Sequence, residues 1–189
     1  MAVSALTLPR PAVDDVAFRE AMARLASGVA VVACWDGETP RGLLVSSLTA
    51  LSTEPPRVLF CVKKTASAHG ALLKAQACSL TLLGEDERRE GERFSRSELA
   101  HERFRPDDWR LDPDRPPEYR GGLVRLHGFV EQKIDAGSHS IFILRVGEAD
   151  VGDHTPLVYF DRAFHRLLPL IEPAAAFPGQ AGVTHDGAN

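Results

Sequence analysis

The chain has 189 residues, 44% of them hydrophobic and 25% charged, which suits a single globular domain with one sizeable core. A formal net charge of -4 argues against a general nucleic-acid binder, which carries a basic excess or stripe. No apolar run approaches the roughly 20 residues of a membrane span, and the start MAVSALTLPRPAVDD lacks a secretory signal, so the cytoplasm is the expected compartment.

Residues 1–12 carry two prolines and little pattern and read as a flexible lead-in. Asp14 and Asp15 offer a helix N-cap and an acidic first turn. Phe18, Met22 and Leu25 follow at helical spacing, predicting an amphipathic helix with one core face, ended by Gly28. Val29 to Trp35 reads as a strand, and Asp36-Gly37 as a hairpin turn. A second strand is predicted from Leu43 through Leu51, stopped by Pro55-Pro56, and a third over Val58 to Val62. Residues 66–75 predict a short helix, and Ser79 to Leu83 a fourth strand. The charged stretch 85–103 reads as a solvated helical face, and residues 95–122, rich in Pro and Gly, as a long excursion within the domain. Leu123 to Ile134 and Ser140 to Val151 are long strands joined through Gly137-Ser138-His139, and Leu157 to Phe160 is a short last one. The domain is expected over 13–171, with a disordered tail over 172–189. This pattern is mainly β with peripheral helices, and by itself fits an antiparallel barrel or a sandwich.

Cys34, Cys61 and Cys78 lie scattered in apolar runs, so buried free thiols are expected rather than disulfides or a zinc site. His139, Asp153 and His154 show no close-spaced metal-ligand pair, and no metal is expected. No GxGxxG follows a strand and no Walker motif is present.

Three segments carry candidate chemistry. Ser46, Ser47, Thr49 and Ser52 place hydroxyls where a buried strand would carry Val or Ile. They read either as an edge strand bonding its own backbone or as a wall of polar groups for a flat ligand. Lys63 to His69 precedes a predicted helix and reads either as a solvated helix start or as an anion site at Ser67 and Lys64. Gly137-Ser138-His139 could aim an imidazole into a cleft or be a plain turn.

At these residues the sequence resembles the flavin reductase family of the FMN-binding split-barrel proteins, reductase partners of two-component monooxygenases. Gly42, Ser46 and Ser47 match its Gly-hydrophobic-Thr-x-Ser/Asn-Ser motif, with Leu44 where Thr is common; Phe94-Ser95 matches its Phe-Ser/Ala pair. Gly137-Ser138-His139 matches its Gly-Asp-His motif, with Ser138 replacing the acid. Residues 156–165 match its closing segment, with Tyr159 and Phe160 read as core, and Arg162 and His165 facing a cleft or an interface.

The resemblance implies an antiparallel Greek-key split β-barrel, a homodimer and hydride transfer from NADH or NADPH to FMN or FAD. It implies flavin contacts at Leu44, Val45, Ser46, Ser47, Thr49, Phe94 and Ser95 and phosphate contacts at Lys63, Lys64 and Ser67. Gly137, Ser138 and His139 would then lie near the nicotinamide, with His139 positioning it. A flavin-dependent monooxygenase is the implied partner. A flavin carrier or sensor, or a split-barrel oxidase, remains the alternative.

Overall fold

The computed structural model describes residues 13–170; the expected lead-in and tail lie outside the described residues. In chain order the elements are α1 (Asp15–Ala23), β1 (Ser27–Gly28), β2 (Ala30–Asp36), β3 (Thr39–Val45), β4 (Thr49–Thr53), β5 (Pro56–Lys63), α2 (His69–Lys74) and β6 (Ala77–Leu82). Then come α3 (Arg88–Ser95), β7 (Trp109–Arg110), β8 (Glu118–Tyr119), β9 (Val124–Ala136), β10 (His139–Val151), β11 (Leu157–Phe160) and β12 (Ala163–Arg166). Seven strands form one antiparallel sheet in the order β3-β2-β6-β9-β10-β5-β4, and β1-β11-β12 form a second.

The predicted strand Leu43–Leu51 is in fact two strands. β3 ends at Val45 on one edge of the large sheet, and β4 starts at Thr49 on the other. Six strand spacings of about 4.8 Å would separate those edges by roughly 29 Å in a flat sheet. The four Cα steps from Val45 to Thr49 reach at most about 15 Å. The sheet must therefore curl until its edges meet, as the split-barrel expectation requires. Composition did not mark the break, because Ser46-Ser47-Leu48 lies between two strand-prone runs and holds no Gly or Pro.

The β2 sequence AVVACWD is apolar at consecutive positions because both its faces are covered. Ala30, Val32 and Cys34 face the barrel interior with Phe60, Val62, Leu80, Phe142 and Leu144. Val31 and Ala33 face outward into a second core with Phe94, Trp109 and Leu157. Ala33 pairs with Gly42 on β3, and these two small residues make room for aromatic rings. A Cβ on Gly42 would lie 2.8 Å from the Val32 carbonyl and 2.9 Å from the Phe94 ring. Phe94, Phe104, Trp109 and Tyr119 stack onward with successive centroids 5.2, 4.7 and 5.6 Å apart.

That second core overturns the solvated reading of 85–103. Glu90, Gly91, Arg93 and Phe94 are buried on one face of α3. Glu90 accepts from Trp109 Nε1 at 2.8 Å and from Arg93 Nη1 at 2.7 Å, and Asp108 adds a contact to Arg93 at 3.3 Å. Burial of these charges is sustained by mutual pairing, which charge density alone cannot reveal. The excursion after α3 supplies Trp109 and covers the outer side of β6 and β9, where Ser79 donates to the Pro117 carbonyl.

Helix α1 is overturned in the opposite sense. Asp14 caps it as expected, accepting from Val16 N–H at 2.8 Å, but none of its residues is buried. Phe18, Met22 and Leu25 are 52%, 49% and 65% exposed. The helix ends at Ala23, before the expected Gly28, and its apolar stripe meets no core among the described residues.

Cys34 and Cys78 are buried free thiols, as expected; burial, with Asp36 nearby, pushes Cys34 up to about 12. Cys61 is only half-buried. No helix among the described residues is long and apolar enough to cross a membrane, and no group of three potential metal ligands occurs among them.

Candidate active site

A cleft of about 1280 Å³ opens where the β3–β4 crossover, the end of β5, α3 and the β11–β12 hairpin converge. Three other cavities among the described residues are each less than half that volume. It is lined by five cations, Lys63, Arg88, Arg96, Arg103 and Arg162, and by one carboxylate, Glu92. In a chain of net charge -4 this concentration of positive charge favours an anionic ligand.

The crossover forms one wall. The β2–β3 ladder ends at Val45 and the β4–β5 ladder begins at Thr49, so Ser46, Ser47 and Leu48 lie outside both. Ser47 Oγ accepts from Cys61 N–H at 2.9 Å and donates to the Cys61 carbonyl at 3.2 Å. One hydroxyl thus ties the crossover to β5 and substitutes for missing ladder bonds.

A second wall is the C-terminal end of α3, with Phe94, Ser95 and Arg96. Arg103 donates to the Arg93 carbonyl at 2.7 Å and the Arg96 carbonyl at 2.9 Å, and its guanidinium sits 5.3 Å from the Phe94 ring centroid. Those bonds cover carbonyls at the negative end of the helix dipole, which would otherwise repel an anion. Burial pushes the Arg103 guanidinium below its usual value. Arg88 is paired with Glu92 at 2.9 Å.

His139 opens β10, opposite Lys63 on β5, and both line the cleft. Gly137, at φ +70°, makes the turn between β9 and β10. Ser138 Oγ lies 2.9 Å from His139 Nδ1. His139 Nε2 makes no hydrogen bond among the described residues.

The flavin reductase like domain family matches residues 22–168. The chain belongs to that family. It is 35% identical over 154 residues to the reductase component of a 4-hydroxyphenylacetate 3-monooxygenase of Thermus thermophilus, covering 80% of this chain and 96% of that one. It is 31% identical to an NADH:FMN oxidoreductase of Rhodococcus erythropolis, over 81% and 82% of the two chains. Its fold matches an NADH:FAD oxidoreductase of Streptomyces globisporus, solved with NAD and FAD fragments, at a TM-score of 0.76 and 26% identity, covering 84% of this chain and 96% of that one.

Within this family fold the sequence-derived residues divide. Leu44, Val45, Ser46, Ser47, Lys63, Ser67, Phe94, Ser95 and His139 all line the cleft. Thr49, Lys64, Gly137 and Ser138 do not. Lys64 Nζ is spent on Asp135 at 2.6 Å, and its backbone N–H on the Ser138 carbonyl at 3.0 Å, so it braces the β9–β10 turn. Helix α2 starts only at His69, has six residues and receives no side-chain cap, so the expected helix-start site shrinks to the loop at Thr65, Ala66 and Ser67.

Arg162 lines the cleft, whereas His165 Nε2 bonds the Phe160 carbonyl at 3.1 Å within the hairpin. Tyr159, expected in the core, is 36% exposed and lines the cleft with Phe164 and the half-buried Cys61. Sequence reasoning missed Arg88, Glu92, Arg96 and Arg103. For the first three the signal was spacing: 88, 92 and 96 repeat every four residues, on the side of α3 away from buried Glu90, Arg93 and Phe94.

Proposed function

We propose that this chain is an NADH-dependent flavin reductase that takes FMN, transfers a hydride to it and supplies reduced flavin to a flavin-dependent monooxygenase. One observation carries the reading: a single cleft of about 1280 Å³ combines a crossover whose backbone lies outside the ladders with five cations and one carboxylate. Pockets for one small ligand span roughly 300–1,000 Å³, so this cleft has room for two nucleotides side by side. The donor is assigned as NADH because relatives are named NADH:FMN oxidoreductases. The partner is assigned because others are named reductase components of monooxygenases.

The residues present fit a flavin. Bound there, the flavin would accept a hydride at N5 from the nicotinamide C4. Ser46 and the free backbone of Ser46 to Leu48 would meet the polar edge of the ring, with Leu44 and Val45 beneath it. Ser47 would act indirectly by pinning that backbone to Cys61. Phe94 and Ser95 would bound the ring, while Lys63 and Ser67 would hold its phosphate, Lys64 being committed elsewhere. His139 Nε2 would face the nicotinamide carboxamide, with the Ser138 hydroxyl holding the ring at Nδ1. Hydride transfer needs no side-chain acid; it needs two rings held at near-attack distance.

The exposed apolar stripe of α1 borders a groove that shares Ser46, Ser47, Tyr159 and Arg162 with the cleft. A second copy of the chain is proposed to cover it, making a homodimer whose interface adjoins the flavin. The cytoplasm is the proposed compartment.

The test is anaerobic mixing of the protein with excess FMN and NADH or NADPH, following loss of the flavin visible band. Bleaching in proportion to enzyme, faster with NADH, is the expected result. Bound FMN with no bleaching by either donor would overturn the reductase and favour a flavin carrier. His139→Ala is expected to raise the KM for NADH about tenfold, the loss of one good hydrogen bond. Unchanged kinetics would remove His139 from the nicotinamide site.

A further inference from the structure

Asp161 and Arg162 form the two-residue turn between β11 and β12, and both have positive φ, 46° and 65°. Turns with two left-handed residues favour Asn-Gly or Asp-Gly, because glycine alone enters that region without resistance. Asp161 suits the first position. Arg162 stands where glycine would be unstrained.

The turn is held firmly. Asp161 N–H donates to the Ala23 carbonyl at 2.8 Å, and its carboxylate meets Arg24 at 3.3 Å, so the hairpin is anchored to the end of α1. Arg162 has no ion pair and no side-chain hydrogen bond among the described residues, although the neighbouring Asp161 has both. Its side chain lines the cleft and the adjoining α1 groove. Nothing in the turn itself accounts for an arginine here.

Among the cleft cations, Arg88 is spent on Glu92 and Arg103 on two carbonyls. Lys63, Arg96 and Arg162 remain uncommitted among the described residues. Lys63 stands on the large sheet near Ser67, whereas Arg162 stands on the small one. FMN carries one phosphate, assigned above to Lys63 and Ser67. A nicotinamide dinucleotide carries two more, and a planar guanidinium binds paired phosphate oxygens well.

We propose that Arg162 binds the diphosphate of the reduced nicotinamide nucleotide, and that the turn keeps an unfavoured backbone conformation to present it. This rests on the reductase reading.

The variants are Arg162→Gly and Arg162→Lys, each examined by steady-state kinetics, FMN titration, thermal melting and calorimetric binding of ADP-ribose to the FMN-loaded protein. ADP-ribose keeps the diphosphate and lacks the nicotinamide. Arg162→Gly is expected to raise the KM for NADH about tenfold and weaken ADP-ribose binding to match, with the smaller part of the change in kcat. Its melting temperature should hold or rise by about 2 °C as the turn relaxes. Arg162→Lys should fall between it and the natural protein. A KM and ADP-ribose affinity within twofold of the natural values would overturn the proposal. So would a loss confined to FMN affinity, which would put Arg162 on the flavin phosphate. A lower melting temperature for Arg162→Gly would overturn the account of why arginine occupies the turn. If the natural protein binds ADP-ribose through Arg162 but never reduces FMN, the reductase reading fails and the diphosphate site stands.

Discussion

Helices α1 and α3 invert what their sequences suggest. Helix α1 carries an apolar stripe and buries none of it; α3 is mostly charged and buries Glu90, Arg93 and Phe94. Periodicity identifies which side chains share a face. It does not say what covers that face. α3 is covered because the excursion brings Trp109 and Asp108 down onto it, giving its buried charges partners. α1 presents its stripe at the rim of the cleft, where the proposed second subunit would cover it.

The largest way to break this comparison is to strip α3 of its buried partner. Glu90→Ala leaves Arg93 and the Trp109 indole facing a void. The expected loss is about 3 kcal/mol, or about 10 °C in melting temperature. A loss below about 1 kcal/mol by denaturant titration would mean the network is mere surface pairing. Next is Gly42→Ala, whose new Cβ would press on the Val32 carbonyl and the Phe94 ring. A loss of about 2 kcal/mol is expected, with weaker FMN binding because Phe94 is displaced into the cleft.

Met22→Glu sharpens the other side. Within one chain Met22 contacts little, so monomer stability should change by less than about 0.5 kcal/mol. The proposed dimer should dissociate, read by sedimentation at concentrations where the natural protein is dimeric. A monomeric natural protein would remove the second copy from the account of α1. The smallest effect concerns Asp135 at the β9–β10 turn. Its hydrogen bond from Lys64, helped by Gly137 N–H, holds the Asp135 carboxyl below its ordinary range. The folded value lies below the unfolded one, so this stabilisation is present above about pH 4 and is lost as pH falls through the folded value. The pair is solvent-exposed, so Asp135→Asn should flatten only slightly the acid limb of a stability-against-pH curve.

The strands were legible because their signals are local. β2 is apolar at successive positions, and β9 and β10 flank Gly137 in a two-residue turn. The crossover was not legible as a break, since the need to close a curled sheet is not written in Ser46-Ser47-Leu48. Of the site, Ser46, Phe94 and His139 could be read from motif and turn chemistry. Arg103 could not, because its place depends on how the excursion folds back over α3. That Lys63 and not Lys64 lines the cleft was illegible for a related reason: which of two adjacent lysines faces a cleft is set by the pairing of its strand, and Asp135 claims the second.

Ser47 holds the barrel's seam by one hydroxyl shared between the two backbone groups of Cys61. That seam is also a wall of the cleft. A ligand seated against the crossover would therefore couple occupancy of the cleft to closure of the barrel, acting as a fastener for the whole sheet. Amide protons near the seam should exchange with solvent more slowly once the protein is loaded, and more slowly there than on the far strands. The melting point should climb with the logarithm of ligand concentration, turning an ordinary thermometer into a gauge of cofactor supply.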